Sequence, residues 1–138
     1  FTRRTQGVDS APVFFWVHGG GFMSGGSHYR ASDVQDYNGT FLADKHGLVV
    51  VTVNYRLGVL GWLSLPGALG NFGMWDQITA LRWVRDHIAL FGGNPNHVHL
   101  AGQSAGAISV CSIMVARPAW GLFHSASMES GHCEARPL

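Results

Sequence analysis

The sequence is poor in charge and in long apolar runs, and both shortages exclude classes of function. Only 12% of its 138 residues are charged, and the formal net charge is +1. The nine Lys and Arg residues are scattered along the chain, so the sequence lacks the basic surface that binding to a nucleic acid requires. No apolar run approaches the length of a membrane-spanning helix, and we therefore expect no transmembrane segment.

Cysteine is also scarce, because the chain has only Cys111 and Cys133. Two cysteines cannot replace a hydrophobic core, and one pair leaves the redox compartment and the disulfide state open. The apolar helical neighbours of Cys111 favour a small buried hydrophobic residue at that position. The chain opens at Phe1 with neither a methionine nor a signal-type apolar segment, which indicates the interior of a longer protein of undetermined oligomeric state.

Hydrophobic residues make up 46% of the chain, enough for one globular core. Four short apolar or β-branched runs predict strands buried in a parallel sheet: Val13–Val17, Leu48–Asn54, Val98–Ala101 and Ala126–Glu129. Apolar residues at helical spacing from Trp75 to Ile88, and the stretch Ala105–Val115, predict helices after the second and third strands. The predicted order is strand, helix, strand, helix, strand, helix, strand. This alternation predicts an α/β fold with right-handed crossovers and helices on both faces of a mostly parallel sheet.

A strand-to-helix turn carries the first chemical motif. Gly102-Gln103-Ser104-Ala105-Gly106 has the form G-x-S-x-G and follows the third predicted strand, which is the context of a nucleophile elbow. The glycines permit a sharp, closely packed turn, and the turn raises the serine hydroxyl to the N-terminus of a helix. The positive end of the helix favours a developing anion there, so Ser104 is the candidate nucleophile.

A second motif, His18-Gly19-Gly20-Gly21, follows the first predicted strand. Acyl transfer builds negative charge on the carbonyl oxygen of the substrate, and backbone N–H groups are common stabilisers of that charge. Glycines allow the backbone to approach the oxygen closely. The pairing of this motif with an elbow predicts an oxyanion hole made of the N–H groups of Gly20, Gly21 and Ala105.

Longer blocks around the two motifs resemble the type-B carboxylesterases and cholinesterases. The similar blocks, in the family's order, are Val51–Gly58, Gly70–Gln77, the serine signature Phe91–Gly106 and Met128–Gly131. The resemblance implies an α/β-hydrolase fold, of which residues 1–138 are a central piece lacking N-terminal and C-terminal parts. It further implies a serine esterase that forms an acyl-enzyme on Ser104, acts on a small-molecule carboxylic ester without metal or cofactor, and is secreted or extracellular.

The resemblance also adds supporting residues around Ser104. It implies that Tyr37 and Ser130 lie close to the active site, and it marks Gln103 as a departure, since the family most often has glutamate there. The family's catalytic acid and histidine lie further downstream and are absent from this chain. A local triad of Ser104, Glu129 and His132 fits the order serine, acid, histidine, but it would place acid and base on one short stretch.

A non-catalytic function is the alternative to the esterase. The resembling family includes adhesion proteins and prohormone domains that retain the fold as a binding surface and lose members of the triad. Retention of Ser104 and of the three glycines favours the enzyme in its complete form, while the 138 residues alone are expected to be inactive. His97 and His99 alternate along a strand without a neighbouring Cys or carboxylate cluster, so no metal site is expected.

Overall fold

The computed structural model describes residues 1–2, 10–28, 37–67 and 69–133. The strands are β1 (Ala11–Val17), β2 (Val49–Val53), β3 (Gly93–Gln103) and β4 (Ser125–Glu129). The helices are α1 (Thr40–His46), α2 (Gly58–Trp62), α3 (Phe72–His87) and α4 (Ala105–Val115), with 3₁₀ turns at Ile88–Phe91 and Arg117–Ala119. Within these ranges no helix is both long enough and apolar enough to cross a membrane.

The strands form one parallel sheet in the order β2-β1-β3-β4. The chain moves from β1 to β2 in one direction and then crosses back over β1 to reach β3. Because parallel crossovers are right-handed, this reversal places α1 on one face of the sheet and α3 and α4 on the other. The carboxyl ends of β1 and β3 meet at the point of reversal, which is where open α/β sheets bind ligands.

The core lies between the sheet and the two helices α3 and α4. Val13, Phe15 and Val17 alternate along β1 and are at most 1% exposed. They belong to one apolar cluster with residues of the two helices, including Leu81 and Val110. Burial of each such side chain contributes about 1.5–3 kcal/mol, so this cluster holds the ends of β1 and β3 in place.

The opposite face of the sheet is less completely covered. Phe14 and Trp16 point to that face, where they line a cleft of about 220 Å³ together with Leu42 of α1. The prediction of helices on both faces, with one helix between the first two strands, is therefore confirmed, although no residues were assigned to that first helix from the sequence. A seven-residue helix has too few turns to show a clear apolar period.

The third strand differs from its prediction at its beginning. It starts at Gly93 rather than at Val98, and its register with β1 is irregular between Ala11 and Val13. Within this stretch the Asn96 N–H donates to Oδ1 of Asn94 at 2.9 Å. The turn chemistry expected from Asn and Pro is present, but it forms a bulge inside the strand rather than a loop before it.

The two cysteines form a disulfide, with a Cα–Cα distance of 5.5 Å between Cys111 and Cys133. Cys111 lies on α4, and Cys133 follows the end of β4. The preference for Cys111 as a small buried hydrophobic residue was therefore wrong. Because α4 packs against β4, Cys111 lies next to the residues that follow β4, although the two cysteines are 22 positions apart in the chain.

Candidate active site

The turn around Ser104 is packed so closely that only glycine fits at positions 102, 106 and 131. A Cβ atom on Gly106 would collide with the carbonyl oxygen of Val17, and one on Gly102 would lie 2.6 Å from the carbonyl oxygen of Gly106. Another on Gly131 would overlap the Cβ of Ala107. Strand ends and the first turn of α4 thus converge on Ser104, which explains the glycines of the G-x-S-x-G motif.

Ser104 itself has a strained backbone, with φ 55° and ψ −119°. Positive φ is uncommon for a residue with a side chain, and such strain is often found at functional sites. The N–H of Ser104 donates to the carbonyl of Glu129 at 2.8 Å, while its carbonyl accepts from the N–H of Ile108 at 3.0 Å. These two bonds tie the turn to β4 on one side and to α4 on the other.

The segment His18–Ser24, here called the glycine loop, lies directly beside this turn. A Cβ atom built on Gly19 would lie 3.1 Å from the Cβ of Ser104. Gly20 and Gly21 have φ of 111° and 61°, a region that favours glycine. Gly20 and Gln103 are 83 positions apart in the sequence. The structure nevertheless brings the two motifs together, because their strands β1 and β3 are adjacent in the sheet.

The peptide groups of the glycine loop and of the elbow are each held from their carbonyl side. The Gly20 carbonyl accepts from the N–H of Met23 at 3.1 Å and from the N–H of Ser24 at 3.0 Å. Because a trans peptide is planar, with its N–H opposite its C=O, these bonds fix the direction of the Gly21 N–H. The bond from Ile108 to the Ser104 carbonyl fixes the Ala105 N–H in the same way.

The far end of the glycine loop is anchored to the segment that follows β2. The N–H of Gly58 donates to the carbonyl of Phe22 at 2.7 Å. The ring of Phe22, whose φ is 61°, packs on Trp62 with centroids 4.4 Å apart. The Ser27 N–H donates to Oδ1 of Asn54 at 2.8 Å. Residues 54–62 thus support the glycine loop at Phe22 and the segment after the loop at Ser27.

The segment after β2 is in turn bound to α3 by Arg56 and Asp76. The carboxylate of Asp76 accepts from the backbone N–H of Arg56 at 2.9 Å and from its Nε and Nη2 at 2.8 and 2.7 Å. The hydrogen bonds from the Arg56 side chain lower the pKa of Asp76 below its ordinary value. Asp76 lies in a block that resembles the family, and its bonds to Arg56 were not predicted from the sequence.

The supporting residues named from the sequence lie at different places. Oε1 of Gln103 lies 2.7 Å from the position of a Cβ on Gly19, so this half-buried side chain faces the glycine loop. Glu129 reaches the elbow through its backbone carbonyl, while its side chain is exposed. Ser130 follows it with φ 53°. Tyr37 packs against Trp16, with ring centroids 5.6 Å apart, on the face of the sheet that carries α1.

The hydrogen bonds of the described residues give no support to the local triad considered from the sequence. Among the residues that the structure describes, no hydrogen bond joins the side chains of Ser104, Glu129 and His132. His99 contacts Ser125 Oγ at 2.8 Å through Nδ1 and Ser127 Oγ at 3.0 Å through Nε2. Within the same described ranges, no group of three or more His, Cys, Asp or Glu residues could hold a metal ion.

Sequence reasoning missed the side chains that support the glycine loop. From the sequence, His18 was only the first residue of a glycine-rich motif, and Tyr55 was only part of a block that resembles the family. The structure stacks the two rings with centroids 4.5 Å apart. A buried strand followed at once by Asn-Tyr-Arg was the available signal, since polar residues at a carboxyl strand end often serve a site.

The fold, the glycine loop and the turn around Ser104 together define a class of protein. A parallel sheet whose switch point carries a strained strand-to-helix serine turn beside a glycine-rich loop is the architecture of an α/β-hydrolase. Within that class the chain belongs to the carboxylesterase family, whose model matches residues 2–136. The fold class and the family resemblance predicted from the sequence are both confirmed.

Named relatives and a solved structure give the extent of the match. The chain is 48% identical to the pyrethroid hydrolase Ces2e of Rattus norvegicus over 129 residues, which are 92% of this chain and 22% of the relative. It is 48% identical to the cocaine esterase of Homo sapiens, covering 87% of this chain and 21% of that protein. The crystal structure of carboxylesterase EST55 of Geobacillus stearothermophilus matches with a TM-score of 0.82 at 41% identity, over 90% of this chain and 26% of that one. The chain therefore spans about a quarter or less of the length of these relatives.

Proposed function

We propose that the complete protein is a serine carboxylic ester hydrolase. In this proposal Ser104 is the nucleophile, and the N–H groups of Gly20, Gly21 and Ala105 form the oxyanion hole. One observation carries the proposal: Gly19 of the glycine loop lies so close to Ser104 that its Cβ would be 3.1 Å from the serine Cβ. A carbonyl group bound between them would meet a nucleophile and backbone donors together. Membership of the carboxylesterase family supports the same reaction class.

The proposed reaction proceeds through an acyl-enzyme. The Ser104 oxygen attacks the ester carbonyl carbon, its proton passes to a histidine base, and the carbonyl electrons move to the oxygen that the N–H groups hold. Collapse of this tetrahedral intermediate breaks the bond to the alcohol, which leaves with the proton from the histidine. Water then attacks the acyl-enzyme and releases the carboxylic acid. In this proposal the acid and the histidine come from elsewhere in the complete polypeptide.

We further propose small neutral carboxylic esters as the substrate class, with no metal or cofactor taking part. The side chain of Gln103 faces the glycine loop without carrying a charge. Two relatives are named as a pyrethroid hydrolase and a cocaine esterase. Their names denote two different substrates, so they support a class of reaction rather than one compound.

A single domain and an oxidising compartment belong to the same proposal. We infer that residues 1–138 form part of one α/β-hydrolase domain, because the match to a solved carboxylesterase covers 90% of this chain but only 26% of that one. Disulfides persist in secreted and lumenal proteins and are rare in the cytosol. The Cys111–Cys133 disulfide therefore supports a secreted or lumenal location.

The proposal is tested by replacing the nucleophile in the complete protein. We expect Ser104→Ala to lower kcat for a p-nitrophenyl ester by at least about 10⁴-fold, because only binding and the oxyanion hole would remain. A fluorophosphonate probe should label the wild type at Ser104, as mapped by peptide mass spectrometry. Ser112→Ala is the matched control and should retain activity, because Ser112 lies on α4, the helix that follows Ser104, and its hydroxyl donates to the Ile108 carbonyl.

Ordinary turnover by Ser104→Ala, or labelling at another serine, would contradict the assignment of the nucleophile. A wild-type protein that neither turns over esters nor reacts with the probe would instead support the non-catalytic binding domain.

A further inference from the structure

We propose that His18 is a positioning residue for the oxyanion hole and that Tyr55 holds its ring in place. The inference rests on the proposed function, because it specifies how one of the proposed donors, the N–H of Gly20, is aimed. The inference is drawn from the hydrogen bonds around two buried rings, neither of which belongs to the triad.

The imidazole of His18 has one possible arrangement of its protons. Its Nδ1 lies 2.7 Å from the carbonyl oxygen of Gly19, and a carbonyl can only accept a hydrogen bond. Nδ1 therefore carries the proton, and Nε2 is left as a buried lone pair without a partner among the described residues. Burial lowers the pKa of His18, because the charged form would lose its hydration, so the neutral ring persists through the neutral pH range.

The bond from His18 fixes a donor through one rigid peptide group. The carbonyl of Gly19 and the N–H of Gly20 belong to the same peptide plane, and they point in opposite directions when that peptide is trans. All peptide bonds of the described residues are trans. Gly20 has φ of 111° and no side chain, so the bond from Nδ1 restrains a peptide that glycine leaves unusually free to rotate.

Tyr55 keeps the His18 ring in the orientation that this bond requires. The tyrosine hydroxyl donates to the His18 carbonyl at 2.8 Å, and the two rings are stacked with an interplanar angle of 19°. Burial, together with the nearby Tyr37, raises the pKa of Tyr55 to about 12, so its hydroxyl keeps its proton. On another side of the ring, a Cβ on Gly25 would lie 2.7 Å from Nδ1, which leaves the imidazole little room to turn.

The support continues into the core of the domain. Tyr55 is 5% exposed and precedes Arg56, whose backbone and side chain both bind Asp76 of α3. A contact path thus runs from α3 through Tyr55 and His18 to the Gly19–Gly20 peptide. Packing alone would require only apolar rings at the two positions, whereas positioning requires the Nδ1 donor.

Three variants of the complete protein separate the donor from the ring. His18→Phe keeps a ring beside Tyr55 and removes the donor, whereas His18→Asn removes the ring and places an amide N–H near the position of Nδ1. We expect His18→Phe to lower kcat about 10- to 50-fold with KM within about twofold, less than the 10²- to 10³-fold typical of deleting an oxyanion donor. His18→Asn should recover most of that loss even if its Tm is lower. His87→Phe, the same change at an exposed histidine, should have wild-type kinetics.

A spectroscopic measurement tests the tautomer independently of turnover. In protein labelled with ¹⁵N-histidine, we expect the signals that disappear in His18→Asn to show a protonated Nδ1 and an unprotonated Nε2 between about pH 7 and 8. A protonated Nε2, or kcat losses that follow Tm rather than the presence of the donor, would overturn the positioning role. A wild type that depends on Ser104 but tolerates His18→Phe overturns this inference alone, whereas a wild type indifferent to Ser104→Ala overturns the proposed function and this inference with it.

Discussion

At the scale of single residues, the lack of a charge at position 103 has the most direct consequence for the site. Gln103 is an amide where the related family most often has glutamate. Its Oε1 lies 2.7 Å from the position of a Cβ on Gly19, next to the peptide that bears the Gly20 N–H. A carboxylate in this place would put a negative charge beside the group that is proposed to hold the oxyanion.

We expect Gln103→Glu to raise kcat/KM for cationic esters relative to neutral ones by up to about tenfold. A carboxylate about 6 Å from a cationic group contributes at most about 3 kcal/mol at an effective dielectric near 20, before screening by salt. The same charge favours the imidazolium form of the catalytic histidine, so it should raise the pKa of that histidine and move the acid limb of the pH–rate profile upward. Kinetics of a matched cationic and neutral ester across pH measure both effects.

Gln103→Met is the control for this prediction, because it keeps the length of the side chain and adds no charge. It should leave the substrate ratio and the acid limb unchanged. If the glutamate variant behaves like the methionine variant in both respects, the charge at position 103 has no part in substrate selection.

Residue-scale reasoning from the sequence was strongest where a function has a short local signature. Ser104 and the glycines around it could be proposed because a sharp turn needs particular residues at fixed spacing. The pairing of His18 with Tyr55 could not, since their contact joins residues 37 apart and depends on which strands are neighbours. The sequence contains the two residues but no pattern that links them.

At the scale of secondary-structure elements, Arg56 and Asp76 connect α3 to the support of the glycine loop. We expect Asp76→Asn to lower the Tm of the complete protein by about 2 °C near pH 7. The pKa of Asp76 is lowered by its bonds to Arg56, so the stability that it contributes is present above the ordinary value of 3.8 and is lost as the pH falls through the lowered one. The difference in Tm between wild type and variant should therefore narrow below about pH 4.

Asp86→Asn is the matched control, because Asp86 forms an ion pair with Arg85 on the same helix. Both side chains of that pair are about half exposed, at 52% and 48%, whereas Asp76 is 26% exposed. Exposed pairs contribute little. Scanning calorimetry at several pH values should show a small effect for Asp86→Asn, and an equal effect of the two substitutions would contradict a special role for Asp76.

The disulfide connects two other elements, α4 and the end of β4. Closing a loop of this size removes entropy from the unfolded chain, and we expect Cys111→Ala/Cys133→Ala to cost about 3 kcal/mol of unfolding free energy. Urea titrations with and without a reductant measure this difference. Reduction should lower the midpoint of the wild type and leave that of the double variant unchanged. A wild type that is insensitive to complete reduction would argue against any stabilising role of the bond.

The long elements were predictable because each has a strong local pattern. Ala105–Val115 has the predicted bounds, and the four strands lie where apolar runs occur. Gly58–Trp62 was not predicted, since a five-residue helix carries no readable period. The bulge at the start of β3 was also missed, because Asn and Pro signal a turn without saying whether it interrupts a strand.

At the scale of the whole molecule, strand order was the property that the sequence alone left undetermined. Alternating strands and helices predict a parallel sheet, but they do not say that β1 lies between β2 and β3. That order creates the switch point and brings the glycine loop to the elbow. The family resemblance implied an α/β-hydrolase fold without naming a strand order, and the structure shows how that order packs the two motifs together around Gly19 and Gly106.

We expect the 138 residues expressed alone to be inactive and prone to aggregate. Within the described ranges no strand pairs with the outer edge of β4, and unpaired edges recruit other chains. Several large apolar side chains are also exposed, among them Trp83 at 44%, Trp120 at 63% and Val115 at 75%. Light scattering, dye binding to apolar surface and a p-nitrophenyl ester assay test the prediction, with the complete protein as the control. A soluble chain that unfolds cooperatively and hydrolyses the ester would contradict it. That result would mean that Glu129 and His132 approach Ser104 in solution, and Glu129→Gln and His132→Phe should then each abolish the activity.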